Sequence, residues 1–250
     1  MRIEAFVIHL ARAEQRRPQV EALRAALPMP VHVVDAVDGR AMAPGEIASV
    51  YRPRLHRPRY PFALGAGEIG CFLSHRKAWR EIVERGLDAG LIVEDDVAVD
   101  AEGLRRLLDL VGTVTGPADF VRFPQKDRGE TGPVVGRGEG GSLLIEPATP
   151  AFGMVMQIVG RDAAARLLAL TETFDRPVDA VLQMRWLHRM RVLSARPLVT
   201  AEISRELGGT LAQSGAETGR RSLLDTVKRE IQRPLYRVAV RLRNRRARLP

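Results

Sequence analysis

Three scarcities bound what this chain can be. Its 250 residues include one cysteine, Cys71. A single thiol excludes an intramolecular disulfide and a zinc site built from several cysteines. It fits a reducing compartment. Long apolar runs are also missing. No window approaches the ~20 apolar residues that a membrane-spanning helix needs. The N-terminal run Ala5-Phe6-Val7-Ile8 is too short for a secretion signal and is cut by His9. The expectation is a soluble, cytoplasmic chain. Net charge is the third scarcity, once the C-terminal stretch is set aside. From Arg220 onward, eleven Arg and Lys face two acids, Asp225 and Glu230, and this segment carries the whole formal charge of +9. The rest is neutral overall. A partner inferred from positive charge is therefore a partner of the tail.

What is present reads as one α/β body and a tail. "EAFVIHL" (4–10) is a short apolar run that suits a first strand. A helix is expected over 12–27, on Val20, Leu23 and Leu27, and "VHVVDAVDG" (31–39) reads as a second strand. This βαβ opening favours a parallel sheet. "RPRLHRPRYP" (52–61) is a loop. Residues 68–85 read as an amphipathic helix carrying Ile69, Phe72, Trp79, Ile82 and Val83. A strand at 91–93, a helix at 103–111 and a strand at 119–123 follow. Residues 125–141 are Gly-rich and charged, and read as a mobile loop. The "GRGEGG" within them lacks the Lys-Ser/Thr ending of a phosphate loop, so a flap is the better reading. "SLLIEP" and "AFGMVMQIV" look like paired strands, "RDAAARLLALTETF" and "RPVDAVLQMRWLHRM" like helices, and "RVLSARPLVT" like a last strand. No internal repeat is visible. The expected division is a body over 1–215 and a tail over 216–250.

One stretch resists a purely structural explanation. In "GLIVEDDVAVD" (90–100), Glu94, Asp95 and Asp96 interrupt a segment that otherwise reads as a buried strand. At a strand end, Glu94 and Asp96 point to one side and Asp95 to the other. In open parallel sheets, ligands bind beyond the carboxyl ends of the strands. Three acids there repel one another unless a cation sits among them. Hard divalent ions such as Mg²⁺ or Mn²⁺ take oxygen ligands of this kind, shared with substrate phosphates. The bland alternative is that the acids cap a turn and face water.

The longer block "GEIGCFLSHRKAWREIVERGLDAGLIVEDDV" (67–97) resembles the signature of glycosyltransferase family 25. That family includes bacterial lipopolysaccharide and lipooligosaccharide galactosyltransferases and the collagen galactosyltransferases. "VIHLARAEQRR" (7–17), "DAVDGR" (35–40), "AFGMVMQIVGRDAAARLL" (151–168) and "RPVDAVL" (176–182) are similar to further family segments, in order. The resemblance implies a GT-A-like (Rossmann-like) fold, with a mostly parallel central sheet flanked by helices. It implies a UDP-sugar donor, commonly UDP-galactose, and a divalent metal, Mn²⁺ or Mg²⁺, at the acidic triplet. By that resemblance Asp96 is the leading metal ligand, with Glu94 beside it. Glu94 and Asp95 also serve the metal's waters or the donor's ribose and sugar.

The same resemblance places His9 with the donor and aims Ser74 and His75 at it. His75 also lies on the apolar stripe of its helix, where a satisfied core histidine is an equal reading. Cys71 reads as packing, since an unactivated thiol on a helix is usually inert. Arg12 and Arg16 follow the first strand, where guanidinium suits phosphates and base edges. They could equally be solvated helix charges. Asp35 ends the second strand, where a ribose contact or a turn-forming role is open. Asp179 opens a helix after Pro177. There it could simply favour the helix dipole, or act as the general base that an inverting sugar transfer requires.

The tail, "SLLDTVKREIQRPLYRVAVRLRNRRARLP" (222–250), carries Leu224, Val227, Ile231, Leu235, Val238 and Leu242 at helical spacing. Arg233, Arg237, Arg241 and Arg245 repeat beside that stripe, and Pro234 is expected to kink or split the helix. A basic amphipathic segment suits an anionic membrane surface. That places the protein peripherally on the inner face of the cytoplasmic membrane, near a lipid-linked or cell-surface glycan acceptor. Packing of the stripe on the body is the rival. The tail has one aromatic, Tyr236, and no recognition motif, so no specific nucleic acid is expected. The alternative class is a nucleotide- or RNA-binding module with a basic anchor and no transferase activity. The acidic triplet speaks against it.

Overall fold

Period-2 and period-3.6 segments assemble here into one large sheet with helices on both faces. The computed structural model describes residues 1–203 and 223–246; the expected division at 215 lies outside the described residues. The strands are β1 (Ile3–His9), β2 (Val31–Asp35), β3 (Ala89–Glu94), β4 (Val97–Val99), β5 (Phe120–Arg122), β6 (Val134–Arg137), β7 (Leu143–Ile145), β8 (Met156–Gly160), β9 (Val192–Arg196) and β10 (Thr200–Glu202). The helices are α1 (Arg17–Ala26), α2 (Pro44–Val50), α3 (Ala66–Glu84), α4 (Ala101–Val114), α5 (Arg161–Leu170), α6 (Val178–Leu182), α7 (Arg185–His188) and α8 (Leu223–Arg246).

Eight strands form the main sheet in the order β2-β1-β3-β8-β5-β9-β7-β6. β1 pairs in parallel with β2 and β3, and β5 with β9, while β8 and β7 run against their neighbours. Most strands therefore share one direction, as expected for a GT-A-like sheet. β4 and β10 form a separate antiparallel pair. Alternation along β1 and β3 divides the core. Phe6, Ile8 and Ile92 pack with α3 and α5 on one face, and Ala5, Val7, Leu91 and Val93 with α1 and α4 on the other.

Four sequence expectations change. The segment 125–141 is not wholly a loop: residues 134–137 within it form edge strand β6, paired with β7. Gly136 allows this strand to lie close on α4, because a Cβ there would come within 2.6 Å of Val114 Cγ2. β7 and β8 are not partners. β7 joins β9, and β8 inserts between β3 and β5. The helix expected over 176–190 breaks into α6 and α7 at Gln183 and Met184. Asn244 of α8 satisfies the broken backbone: its side chain accepts from Arg185 N at 3.2 Å and donates to Gln183 O at 2.9 Å. Finally, α8 is one helix through Pro234. An interior proline costs about 3 kcal/mol, and docking of the helix on the body offsets it. Tyr236 and Val240 are buried, and Tyr236 Oη accepts from the fully buried Arg176 at 3.0 Å. The outward stripe keeps Leu235, Val238 and Leu242 exposed. No helix among the described residues is long and apolar enough to cross a membrane.

Candidate active site

Parallel pairing brings three strand ends side by side. His9 ends β1 opposite Asp35 of β2, and Ile8 lies opposite Glu94 of β3. A cleft of about 120 Å³ opens beyond them. Its walls are the turn after β1, the loop after β2, the first half of α3 and the acidic triplet. Two glycines make this wall possible. The loop after β2 crosses α3 so closely that a Cβ on Gly39 would sit 1.8 Å from Ala66 O, and one on Gly70 2.5 Å from Val37 O. Ser74 Oγ fixes the crossing by accepting from Val37 N at 2.8 Å and donating to Gly70 O at 2.7 Å.

The triplet divides at the tip of β3, which ends at Glu94, so that Asp95 and Asp96 belong to the turn that follows. Asp95 turns inward, is 5% exposed, and is held by His9 Nδ1 at 2.7 Å and Arg16 Nη1 at 2.6 Å. Arg16 also reaches Asp96 at 3.3 Å. Glu94 and Asp96 are more open and line the cleft. Burial, and then the neighbouring Glu94 charge, push Asp96 up from 3.8 to about 6, against the pull of Arg16. His75 is fully buried. It accepts from Gln157 Nε2 at 3.1 Å and meets Glu94 at 3.3 Å. It therefore orients Glu94 from behind. Arg12 lines the cleft and pairs with Asp38 at 2.6 Å. Asp35 is exposed and outside the lining, and the acid of that loop inside it is Asp38. The "DAVDGR" motif offered two acids. The signal favouring the second was its glycine neighbour, which brings the loop onto α3.

Asp179 lies at the start of α6 and accepts from Gly153 N at 3.0 Å. Burial is the main cause that raises its pKa, and the Glu94 charge adds to it. Cys71 is likewise pushed well above its ordinary value by burial, then by Glu94, Asp179 and Asp96. Asp179 thus shares one electrostatic environment with the triplet, although 83 residues separate it from Asp96 in sequence. Cys71, as an uncharged thiol, is packing.

Two ligand sets can be drawn for a metal. Cys71, His75 and Glu94 place one ligand atom each within 4.8 Å of one another. The thiol there resists ionisation, and the imidazole is already engaged on both sides. Glu94 and Asp96 instead offer oxygen donors at the cleft wall, and their mutual repulsion favours a cation. This pair fits a hard divalent ion better.

Residues 2–122 match the model of "Glycosyltransferase family 25 (LPS biosynthesis protein)". The chain is 33% identical over 114 residues to procollagen galactosyltransferase 2 of Homo sapiens, covering 44% of this chain and 18% of that protein. It is 30% identical over 218 residues to "Inactive glycosyltransferase 25 family member 3" of Mus musculus, covering 79% of this chain and 36% of that protein. The chain therefore spans well under half the length of these relatives. Among solved structures, it is similar to a glycosyltransferase involved in glycosylation of the major capsid of PBCV-1, with TM-score 0.33, 10% identity, and coverage of 74% of this chain and 66% of that one. It is also similar to A197 from STIV, with TM-score 0.38, 13% identity, and coverage of 78% and 81%.

Proposed function

Because residues 2–122 match the model of glycosyltransferase family 25, we propose that the chain is a metal-dependent, inverting glycosyltransferase. It moves a hexose, galactose first, from a UDP-sugar to a lipid-linked or cell-surface glycan such as lipopolysaccharide. One observation carries the reading: Glu94 and Asp96 line a cleft at the carboxyl ends of β1 to β3, with Asp95 locked behind them by His9 and Arg16.

In this reading the donor occupies the cleft. Arg12 lies at its lip, and Ser74 and His75 hold the wall. Glu94 and Asp96 hold Mn²⁺ or Mg²⁺, which supplies charge neutralisation for the departing diphosphate. Asp179 accepts the proton of the acceptor hydroxyl as it attacks the anomeric carbon. Its Gly153 contact fixes its direction, and its raised pKa makes it a stronger base than a surface aspartate. The exposed Leu235, Val238 and Leu242, beside a row of arginines, suit attachment of the tail to the anionic inner face of the cytoplasmic membrane. A relative named as inactive makes binding without turnover the competing outcome.

Calorimetry with UDP tests the site itself. UDP binding that requires Mn²⁺ in the wild type and is lost in Asp96→Asn supports it. Undiminished Mn²⁺-UDP binding by Asp96→Asn contradicts it.

A further inference from the structure

A second, larger cavity, of about 590 Å³, lies between α8 and the body. That volume is in the range of small-molecule sites. At 3.6 residues per turn, Tyr236, Val240 and Asn244 share the docked face of α8. Arg237, Arg241 and Arg245 are each one residue further on, so they form a row along the edge of that face. All three line the cavity, and Arg128 lines it too. Among the described residues, none of these four arginines is paired with a carboxylate. The acid in the lining, Glu130, is already engaged by Arg122 at 2.6 Å and Arg196 at 3.2 Å. Four guanidinium groups thus converge on one cavity in which, among the described residues, the lining carboxylate is already engaged by other arginines. Such an arrangement focuses positive potential, and guanidinium groups match phosphate oxygens two at a time.

The cavity is also connected to the proposed chemistry. Phe152 forms part of its wall, under the Arg237 guanidinium. The next residue, Gly153, donates to Asp179. An acceptor lying against this wall would present its hydroxyl at Asp179 and its other end among the arginines.

We propose that this cavity is an acceptor subsite that recognises a phosphate-bearing sugar, so that the acceptor glycan carries a phosphate near the hydroxyl that is glycosylated. This rests on the transferase reading for the word "acceptor", but binding at the cavity is measured without it. The probes are glucose 6-phosphate, glucose and inorganic phosphate, titrated by calorimetry into the full chain at low salt. Glucose 6-phosphate should bind at least ten-fold more tightly than glucose. Its affinity should fall by ten-fold or more in the double variant Arg241→Gln, Arg245→Gln, and on the opposite wall in Arg128→Gln. These side chains are exposed, and an unchanged thermal melt verifies the fold of each variant. Equal affinity for glucose and glucose 6-phosphate would overturn the proposal. So would affinity indifferent to all three arginines. Phosphatidylglycerol vesicles form a separate arm. If they bind through these arginines while glucose 6-phosphate does not bind, the row is a lipid-headgroup face and the subsite is refuted. UDP binding by the wild type is measured in parallel. Arginine-dependent sugar-phosphate binding without UDP binding removes the donor reading and leaves the cavity standing.

Discussion

Replacing Asp96 by asparagine should make the metal-free protein more stable at neutral and alkaline pH. In the fold, burial and Glu94 raise this carboxyl from 3.8 to about 6. Below the lower value, folded and unfolded chains both hold the proton, and the site is neutral to stability. Between the two values the folded chain keeps a proton that the unfolded chain has lost, so stability falls as pH rises. Above about 6 the full cost is present. Roughly two pKa units at ~1.4 kcal/mol each give a cost of about 3 kcal/mol. Asparagine removes that charge but also weakens the 3.3 Å contact with Arg16. A net gain of about 1–2 kcal/mol is a reasonable expectation, or ~2–8 °C in melting temperature for a chain of this size. Thermal unfolding of both proteins in EDTA at pH 4 and pH 8 measures it. The two melts should nearly coincide at pH 4 and separate at pH 8, with the variant higher. Adding Mn²⁺ should raise only the wild type, because a ligand that binds the folded state stabilises it. A variant less stable than wild type at pH 8, or an offset equal at both pH values, would refute the reasoning.

Asp179→Asn keeps the size of the side chain but cannot take a proton. Transfer should fall by about 10²- to 10⁴-fold while donor affinity stays within a few fold; a nearly fully active variant would reduce Asp179 to a helix-start residue. Asn244→Ala leaves Gln183 O and Arg185 N without their partner. It should cost about 1–3 kcal/mol in urea unfolding, so an unchanged midpoint would show that α8 does not staple the break. His188 is buried and held neutral, with its pKa lowered from 6.5 to about 4, chiefly by burial. Its contribution is therefore full above pH 6.5 and is lost as pH falls toward 4, and His188→Gln should flatten that limb of the stability curve. Sedimentation with anionic liposomes should be salt-sensitive and weakened by Leu235→Ser with Leu242→Ser; salt-independent binding would contradict the membrane role.

The parts of this fold legible in the sequence were those set by local period and strand ends. The apolar spacing of α3 and the alternation of β1 and β3 place the strand tips and the acidic triplet correctly. What escaped was pairing at long range. Nothing local to "SLLIEP" says that it will join β9, and nothing in "RPVDAVLQMRWLHRM" reveals that Asn244, some 60 residues on, will replace two of its backbone hydrogen bonds. The tail was legible as amphipathic, but the second, narrower face by which it docks on the body was not. The docked residues are Tyr236 and Val240, whereas Leu235, Val238 and Leu242 of the more apolar stripe face outward. The docked face includes a polar contact, from the buried Arg176 to the Tyr236 hydroxyl, and hydropathy carries no signal for that. Within the site, the carboxylates were visible as a cluster. Their division, Asp95 to one side and Glu94 and Asp96 to the other, was legible too; that His9 and Arg16, some 80 residues earlier, would hold Asp95 was not.

The most direct test of the central claim is release of UDP from a panel of UDP-sugars, measured with Mn²⁺ and again with excess EDTA. Release should be Mn²⁺-dependent for at least one UDP-hexose, UDP-galactose first, and should be abolished by EDTA and by Asp96→Asn. Release that persists in EDTA, or no release from any UDP-sugar by a protein that still binds Mn²⁺-UDP, would contradict that claim.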